Sequence, residues 1–561
     1  MIERKKIEKI LCKAPFNLTD ECVNWVMHAI ESLSTKDKIS QLFNVQIFPS
    51  EQQLIDDAIH HKVGGVTLIN FDSPLSCKSV IHELKKASNI PMLVCADLEG
   101  GVTSGNMTTS FPNQLGCAAA NSLDAYSKAL EVLAQELLSI GINWTFSPVL
   151  DVNDSFHSAI VGTRSYGNNQ QLISDMANAH IRVFQNKNIA TTAKHWPGEG
   201  FDARDQHLVT TINPLTANKW DEVFGQLYTS AFDAGVLSVM SAHIALPDFA
   251  ASMGEEGVEQ FRPASISTHL NKTLLREKLR FNGLVISDAT LMGGLESWGP
   301  RKQWLPELIQ NGCDMILFST SIGDDIEILH AAVQTGELSS GRVDEALVRV
   351  LGLKAKLKLH EPMPPSDIAI SVVDSDEHKA VMSTLSSMSV TLVKDTQNVV
   401  PINKSKTPKI LIFKEENINP LGGGEDFHLH IDKLLIEEGF EVHVFDPLKD
   451  KLEVFNNFDL IIYAIAQESQ LTKSRLYLDW ATLHGGTLPG MKRLWWDKPT
   501  MLISFGHPYY LYDAPRIPCL VNAYTPTPAV QKAVVDKLIG RSGFTGKSPV
   551  DAFCGLSDAI F

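Results

Sequence analysis

The sequence predicts a (β/α)8 barrel followed by a smaller α/β domain with an open sheet. Three observations support this prediction: the chain has 561 residues, strand-like apolar runs alternate with helix-length spacers, and a proline-rich segment separates two stretches of this alternation. A chain of this length exceeds what one ordinary core can organise, so we expect two or three domains.

Eight apolar runs supply the predicted barrel strands. Most are nearly continuous in apolar residues, as a strand buried on both faces requires. They cover residues 40–45, 63–70, 91–98, 142–152, 189–195, 236–246, 281–288 and 313–319. Helical patterns such as 122–139 and 271–279 occupy the spacers. Eight such units over roughly 300 residues favour a closed barrel, with a doubly wound open sheet as the alternative.

The barrel is predicted to end with a long helix over 343–359, capped by Ser339 and Ser340. Prolines then crowd the segment 361–367, and proline at this density stops a helix and stiffens a connector. We therefore assign 1–359 to the catalytic barrel, 360–386 to a linker with a lead-in helix, and 387–561 to the second domain.

The second domain alternates again. Its predicted strands cover 389–392, 409–413, 440–445, 460–466, 501–505 and 519–523, and its predicted helices cover 431–438 and 529–539. The glycine run 422–424 lacks the following Lys-Ser/Thr of a phosphate-binding loop, which argues against a nucleotide site. Trp495 and Trp496 are typical of core or interface residues, with a sugar-stacking platform as the alternative.

Composition excludes several classes of partner. The formal net charge of −16 argues against a nucleic acid or an anionic membrane surface, since both need a basic footprint. No apolar run reaches membrane-spanning length, and the first residues show no apolar signal-peptide core, so we expect a cytoplasmic protein. The eight cysteines form no CxxC pair, and Cys95 and Cys313 lie inside apolar runs typical of buried thiols.

Polar residues close successive predicted barrel strands. In a barrel of this kind, functional residues gather at the carboxyl ends of the strands, so these side chains are expected to converge on one point. They are Asp97 and Glu99, Asp151, Lys194 and His195, His243, and Asp288. One aspartate at a strand end is commonly a helix cap, but five polar strand ends together are hard to assign to capping.

These segments resemble glycoside hydrolase family 3, and more narrowly its β-N-acetylglucosaminidase branch, which carries an Asp-His dyad. The segment FNGLVISDA at 281–289 is similar to the nucleophile strand of that family, and KHWPG at 194–198 to its Lys-His sugar clamp. DQH at 205–207 looks like the dyad, while GTRSYG at 162–167 and MSAHI at 240–244 also fit. The resemblance covers about 33–359 and continues more faintly into 518–552.

The resemblance implies a retaining reaction with Asp288 as the nucleophile that forms a covalent glycosyl intermediate. A short carboxylate on a rigid buried strand suits that role, because it is held in place below the anomeric carbon. The alternative for Asp288 is the N-cap of a helix that begins near Leu291.

The resemblance also implies that His207 is the acid/base, with Asp205 behind it. In an extended loop, residues i and i+2 point to the same side, so Asp205 can fix the tautomer of His207 and stabilise its imidazolium form. A solvent-exposed loop histidine with a chance aspartate neighbour is the alternative. Gly198 and Gly200 suggest a hinged lid that brings His207 over the sugar.

The family carry-over assigns sugar binding to Asp97, Arg164, Lys194 and His195, and a ring of charged and amphoteric groups suits hydroxyls. His243 is a possible further site residue. A barrel lysine such as Lys194 also has a rival role as a Schiff-base nucleophile in an aldolase, although that role leaves Asp288 and the dyad unexplained. Lys194 beside His195 would repel a metal ion, so we expect no metal and no cofactor.

Two positions depart from the family pattern. Glu199 stands where the branch usually has histidine, and it is a rival acid/base candidate. Val102, Thr103 and Ser104 follow Gly101 where the family commonly has arginine, so the contacts around Asp97, and with them the choice of 2-acetamido sugar, can differ.

We predict a retaining exo-β-N-acetylglucosaminidase that acts on small soluble N-acetylglucosamine-containing saccharides. The alternatives are a hydrolase of another 2-acetamido sugar, a phosphorylase, a β-glucosidase of the same family, and a sugar-binding protein on a degenerate barrel. Phosphorolysis is possible because a neutral imidazole does not repel an anionic acceptor as a carboxylate does. The β-glucosidase would take its acid/base from the second domain, with Glu415 or Glu425 as candidates. The sequence does not predict the oligomeric state.

Overall fold

The computed structural model describes residues 3–71, 73–101, 107–361, 369–416, 428–469 and 471–561. The predicted linker core at 362–368, the glycine run 422–424, Glu425 and the departure at Val102–Ser104 lie outside these described residues. Within the described part of the chain, no helix is both long enough and apolar enough to cross a membrane.

The described residues form sixteen strands. They are β1 Phe43–Ile47, β2 Gly65–Leu68, β3 Leu93–Ala96, β4 Trp144–Thr145, β5 Thr192–Trp196, β6 Thr211–Ile212, β7 Ser238–Ser241, β8 Ile244–Ala245, β9 Leu284–Ala289, β10 Met315–Leu317, β11 Thr391–Asp395, β12 Lys409–Glu416, β13 Glu441–Val444, β14 Leu460–Ala466, β15 Thr500–Ser504 and β16 Cys519–Asn522.

Twenty α-helices accompany these strands in the part of the chain that the structure describes. They are α1 Arg4–Leu11, α2 Asp20–Ser32, α3 Thr35–Ser40, α4 Gln52–His60, α5 Pro74–Ala87, α6 Gln114–Ala119, α7 Leu123–Ile140, α8 Gln170–Asn186, α9 Ala217–Trp220, α10 Gln226–Asp233, α11 Pro247–Ser252, α12 Gly293–Glu296, α13 Arg301–Gln310, α14 Ile322–Thr335, α15 Ser340–Lys356, α16 Asp376–Ser389, α17 Ile431–Glu437, α18 Trp480–His484, α19 Thr487–Gly490 and α20 Pro528–Leu538. Asp221–Gly225 and His269–Lys278 form π-type turns.

The first sheet confirms the predicted barrel. Its eight parallel strands run in the order β4-β3-β2-β1-β10-β9-β7-β5. Isolated bridges from Trp144 to Ala190 and from Val149 to Lys194 link the two ends of this order, so the sheet is nearly closed. Each predicted strand contains or overlaps one barrel strand, and the apolar runs are buried as a two-sided parallel strand requires.

Local signals explain where the helices begin and end. The Ser122 hydroxyl accepts the Ala125 N–H at the start of α7, and Gly141 ends that helix with φ of 105°. A capping box between Ser34 and Asp37 starts α3. The predicted helix over 343–359 is α15, with Ser339 at the N-cap position but without a side-chain capping bond.

The second sheet confirms the smaller open domain. Its six strands run in the order β11-β16-β15-β14-β12-β13, and only the β11–β16 pair is antiparallel. Helix α16 begins inside the predicted linker and ends at Ser389, so the exact domain boundaries remain a proposal. Trp495 is buried, whereas Trp496 is 77% exposed on a groove of about 1020 Å³.

Candidate active site

The carboxyl ends of the barrel strands bring the predicted site residues together. Asp288 lies near the end of β9 and is 8% exposed, and its Oδ1 accepts the Ala289 N–H at 2.8 Å. Burial alone would raise the pKa of Asp288, but the imidazoles of His195, His243 and His207 hold it below its usual value. Asp288 is therefore ionised. Helix α12 begins at Gly293 with Met292 as its N-cap, so Asp288 does not cap that helix.

Asp205 and His207 form a hydrogen-bonded pair. The Nδ1 atom of His207 lies 2.6 Å from Asp205 Oδ1, and the His207 backbone N–H donates to the same oxygen at 2.9 Å. The geometric reason given by the sequence, an extended loop, is wrong. Asp205 opens a tight turn in which its carbonyl accepts the Leu208 and Val209 N–H groups, so the contact arises because an aspartate side chain bonds its own backbone two residues on.

Lys194 and Arg164 share one buried carboxylate that the sequence analysis did not assign to the site. Glu99 is 3% exposed, and it accepts both Arg164 Nε at 2.7 Å and an Arg164 terminal nitrogen at 2.9 Å. Lys194 Nζ lies 2.7 Å from Glu99 and 2.8 Å from Asp97. The buried side chains of Lys194 and Arg164 carry two positive charges, and Asp97 alone supplies only one negative charge. This imbalance is the feature of the sequence that could have pointed to Glu99.

The charges of this cluster reinforce one another. Burial alone would lower the pKa of Lys194, but Asp97 and Glu99 raise it above its usual value. Burial would raise the pKa of Glu99, while Arg164 and Lys194 hold it well below its usual range. The Asp97 side chain remains 47% exposed, so it is the member of the cluster that a ligand can reach most directly.

Asp151, which the sequence placed at a strand end without a specific role, orients His195. Asp151 Oδ2 lies 2.6 Å from His195 Nδ1, and an Arg164 terminal nitrogen lies 3.1 Å from His195 Nε2. Arginine can only donate, so Nε2 accepts and the proton of a neutral imidazole lies on Nδ1. Asp151 Oδ1 also accepts the His195 N–H at 3.2 Å and the Glu199 N–H at 2.9 Å, which ties the clamp to the following loop.

Glu199 is buried behind the dyad. Its Oε2 accepts Gln206 Nε2 at 3.1 Å, and its Oε1 lies 3.2 Å from Thr211 Oγ1. Burial, followed by repulsion from Asp151, raises the pKa of Glu199 well above its usual value. Both effects favour the protonated form of the Glu199 carboxyl.

Asp151, His195 and Glu199 are also the one group of metal-ligand type among the described residues, with ligand atoms within 4.8 Å of one another. The donor set does not fit a cation, because the Arg164 guanidinium lies against His195 and the atoms are already hydrogen-bonded to one another or to neighbours. These contacts argue against a cation at this group, and the absence of a metal from the site remains a prediction.

His243 supports the strand that carries Asp288. Its Nε2–H donates to the Ala289 carbonyl at 2.9 Å, and its Nδ1 lies 2.9 Å from the Ser265 hydroxyl. Burial lowers the pKa of His243, so the ring is neutral in this position. The structure therefore places His243 beside the strand that carries Asp288, the predicted nucleophile.

The loop between the sugar clamp and the dyad is tightly packed. Gly198 and Gly200 have φ of 114° and 121°, and a Cβ atom on Gly200 would lie 1.7 Å from the Val152 carbonyl oxygen. Beyond the dyad, β6 pairs with β8 in a two-stranded sheet that the sequence analysis did not predict. Close packing explains the two glycines, and the lid movement remains a prediction.

The second domain reaches the site through the loop that follows β14. The Thr472 N–H donates to Asp205 Oδ2 at 2.8 Å, and Ser469 exchanges hydrogen bonds with Thr163, next to Arg164. In each of these two pairs the partners are about 270 to 300 positions apart in the sequence. No local sequence pattern could therefore reveal the contacts. Glu415, a candidate acid/base from this domain, bonds Gln467 instead, and burial raises its pKa to about 7.

The chain resembles known proteins along nearly its whole length. The family described as "Glycosyl hydrolase family 3 N terminal domain" matches residues 34–353. A "Beta-N-acetylglucosaminidase/beta-glucosidase" of Cellulomonas fimi is 33% identical over 98% of this chain and 99% of that protein. A "Beta-hexosaminidase" of Vibrio cholerae is 29% identical over 48% of this chain and 79% of that protein.

Solved structures of known proteins are also similar to this chain. A "Beta-glucoside phosphorylase BglX" matches with a TM-score of 0.91 and 34% identity, covering 98% of this chain and 100% of the other. A glycoside hydrolase family 3 β-N-acetylglucosaminidase from Paenibacillus sp. str. FPU-7 matches with a TM-score of 0.79 and 23% identity, covering 94% and 100%. At that lower identity the second likeness concerns the fold alone.

Proposed function

The chain belongs to glycoside hydrolase family 3 and is a glycosidase, and from this premise we propose that it is a retaining exo-β-N-acetylglucosaminidase. The observation that carries the proposal is the 2.6 Å contact between His207 Nδ1 and Asp205, on the same barrel face as the ionised Asp288. A nucleophilic carboxylate and a separate proton carrier are what a retaining mechanism requires. The proposed substrates are small saccharides with a terminal β-linked N-acetylglucosamine.

In the first step, an Asp288 oxygen attacks the anomeric carbon and forms an ester bond as the glycosidic C–O bond breaks. His207 gives its Nε2 proton to the departing oxygen, since its Nδ1 faces Asp205. Asp205 is ionised, because hydrogen bonds from His207 and Thr472 outweigh burial and lower its pKa. Its negative charge stabilises the imidazolium form that precedes proton transfer.

In the second step, an acceptor attacks the anomeric carbon and the ester bond to Asp288 breaks. His207, now neutral, takes the proton of an attacking water, which restores the imidazolium and releases the sugar with its original configuration. The residues proposed to hold the sugar hydroxyls are Asp97, Arg164, Lys194 and His195. Their mutual hydrogen bonds fix their positions before substrate arrives, which supports this role.

Phosphate is the second candidate acceptor. Two observations favour it: the likeness to a β-glucoside phosphorylase over nearly the whole chain, and the raised pKa of Glu199, which disfavours a further negative charge beside the dyad. Neutral His207 also leaves a phosphate oxygen unrepelled at the intermediate. The name of the Cellulomonas relative adds glucosides to the candidate substrates.

A panel of nitrophenyl β-glycosides, assayed with and without phosphate, tests the proposal. We expect turnover of the N-acetylglucosaminide, labelling of Asp288 by a fluorinated glycosyl inhibitor, and no labelling of Asp288→Asn. Sugar 1-phosphate among the products would establish phosphorolysis, and preference for the glucoside would move the specificity to β-glucosidase. Absence of turnover on every glycoside would favour a sugar-binding protein. A cytoplasmic location remains a prediction.

A further inference from the structure

The loop after β14 connects the second domain to the proton-handling pair of the barrel. We propose that Ser469 and Thr472 of this loop are positioning residues of the active site, so that the two domains share one site. This inference rests on the proposed roles of Asp205 and His207. It adds a function for the second domain, namely to hold the acid/base and the sugar-binding arginine in their working orientation.

Thr472 completes the hydrogen bonding of Asp205. Its backbone N–H donates to Asp205 Oδ2 at 2.8 Å, whereas Oδ1 accepts both nitrogen contacts from His207. A carboxylate turns easily about its last torsion, but hydrogen bonds on both oxygens hold it in one orientation. Because Asp205 sets the direction of the imidazole, the Thr472 N–H indirectly sets where the His207 proton points.

The backbone at Thr472 is itself strained. Its φ is 63°, a left-handed conformation that is costly for a β-branched residue. Such a conformation persists only where the surrounding structure holds it. The residue held in this conformation is also the one whose N–H bonds Asp205, so the strained backbone coincides with the contact between the two domains.

Ser469 makes a reciprocal contact with the turn that presents Arg164. The Ser469 hydroxyl accepts the Thr163 N–H at 2.8 Å, and the Thr163 hydroxyl accepts the Ser469 N–H at 2.9 Å. Both residues are buried. Arg164 follows Thr163 directly and forks onto Glu99, so a shift of this turn would move the guanidinium that borders the sugar clamp.

The loop comes from a rigid part of the second domain. Strand β14 lies between β12 and β15 and is buried along its full length. Gln467, just beyond it, accepts the His507 N–H at 2.7 Å and the Tyr510 hydroxyl at 2.7 Å. Farther along, Arg475 pairs with Asp513 at 2.6 Å. The contacts to the barrel therefore start from a fixed support on both sides.

Two substitutions at position 472 test the N–H donor. Thr472→Pro removes the donor and, because proline fixes φ at about −65°, also the left-handed backbone that presents it, whereas Thr472→Gly keeps the donor and adopts the positive φ without strain. Proton donation matters for a poor leaving group and much less for dinitrophenolate, which leaves without a proton. We expect Thr472→Pro to lose about tenfold or more of kcat/KM on a methoxyphenyl glycoside, with little loss on the dinitrophenyl glycoside. Thr472→Gly should match the unsubstituted protein on both.

The leaving-group comparison also shows which outcome overturns the proposal. Equal loss on both substrates, or no loss on either, contradicts a role of Thr472 in proton donation. Labelling of Asp288 by the fluorinated inhibitor is followed in parallel. If the unsubstituted protein itself is not labelled there, it is the proposed function that fails, and the two failures are thereby distinguished.

Ser469→Ala provides a second test that does not depend on proline. We expect it to raise KM several-fold on both substrates, because it loosens the turn that carries Arg164. Ser504→Ala is the matched control, since the Ser504 hydroxyl donates to the His507 carbonyl at 2.6 Å within the second domain. An unchanged KM in Ser469→Ala, or the same rise in Ser504→Ala, would overturn the role of Ser469.

Discussion

Glu199 shows how burial changes the chemistry of a residue type. By sequence it is a second acid beside the dyad and a rival to His207. In the structure it is 3% exposed, and both its carboxyl oxygens contact protein side chains. The His207 side chain, in contrast, is 21% exposed, so a leaving group can reach it. The geometry favours Glu199 as a buried hydrogen-bonding partner of Gln206, and its raised pKa favours the uncharged carboxyl.

Glu199→Gln should therefore retain most activity, because glutamine has the same shape as a protonated glutamate and the same lack of charge. We expect kcat/KM on an aryl N-acetylglucosaminide within about threefold of the unsubstituted protein, whereas His207→Ala should lose about 10² or more on a poor leaving group. Steady-state kinetics of the two variants on the same substrate provide the measurement. The dyad assignment fails if Glu199→Gln loses activity that His207→Ala keeps.

Individual site residues differed in how visible they were from the sequence. Asp288, His207 and Lys194 stand in segments whose residue order resembles the family. Glu99 and Asp151 lie in strand ends that were noticed, but their roles depend on which buried cation or imidazole they face. Ser469 and Thr472 carry no local signal, because their partners belong to another domain.

Among the secondary-structure elements, the hydrophobic periodicity of the sequence predicted the long strands and missed the short ones. The eight barrel strands follow from apolar runs, yet β4 is only Trp144–Thr145. Strands β6 and β8 have two residues each, too few to show any alternation. The predicted single strand over 236–246 is in fact β7 and β8, separated by His243 and its neighbour.

A buried charge cluster ties α15 to the amino end of β10, away from the active site. Asp314 is fully buried and pairs with Arg276 at 2.6 Å and Arg342 at 2.7 Å, and it also accepts the Val285 N–H. Asp314→Asn leaves these guanidinium groups without their counter-charge. We expect a loss of about 3–5 kcal/mol in the free energy of unfolding, measured by urea titration, with kcat/KM unchanged at low temperature. A loss below about 1 kcal/mol would contradict the importance of the cluster.

Helix α15 also buries a lysine away from any carboxylate partner among the described residues. Lys354 donates to Gln41 Oε1 at 2.7 Å, and burial lowers its pKa to about 7. Between pH 7 and about 10 the unfolded chain holds a proton that the folded chain lacks, so stability rises with pH in this window. Below pH 7 the full penalty of the buried charge is present.

Lys354→Met should accordingly stabilise the protein more at pH 6 than at pH 10, relative to the unsubstituted chain. The lost bond to Gln41 costs the same at both values, so the difference between them isolates the charge. The expected difference is a few kcal/mol, at about 1.4 kcal/mol per pKa unit, measured by denaturant unfolding at the two pH values. An equal change in the free energy of unfolding at both pH values would show that burial does not lower the pKa of Lys354.

In the whole molecule, the two domains contact each other at an interface with apolar and polar parts. Leu115, Ala119, Tyr509, Tyr524 and Val550 form one buried apolar cluster that spans both domains. Polar contacts accompany it: Asn113 Nδ2 donates to the Tyr524 carbonyl at 2.7 Å, and the Lys547 N–H donates to the Ala119 carbonyl at 2.9 Å. The second domain therefore covers barrel surface that could not face water without cost.

The fragment 1–359, cut at the predicted boundary, tests whether the barrel is competent without this cover. Removing residues 360–561 exposes Leu115 and Ala119 and deletes the Ser469 and Thr472 contacts. We expect the fragment to aggregate or bind a hydrophobic dye, and to lose about 10²-fold in kcat/KM, since small misplacements of catalytic groups have effects of that size. Adding the separately produced 360–561 fragment should restore part of the activity, because the interface between the two domains lets the two fragments bind each other. A soluble, fully active 1–359 fragment would show that the barrel orients its own acid/base, and that the second domain serves some other purpose.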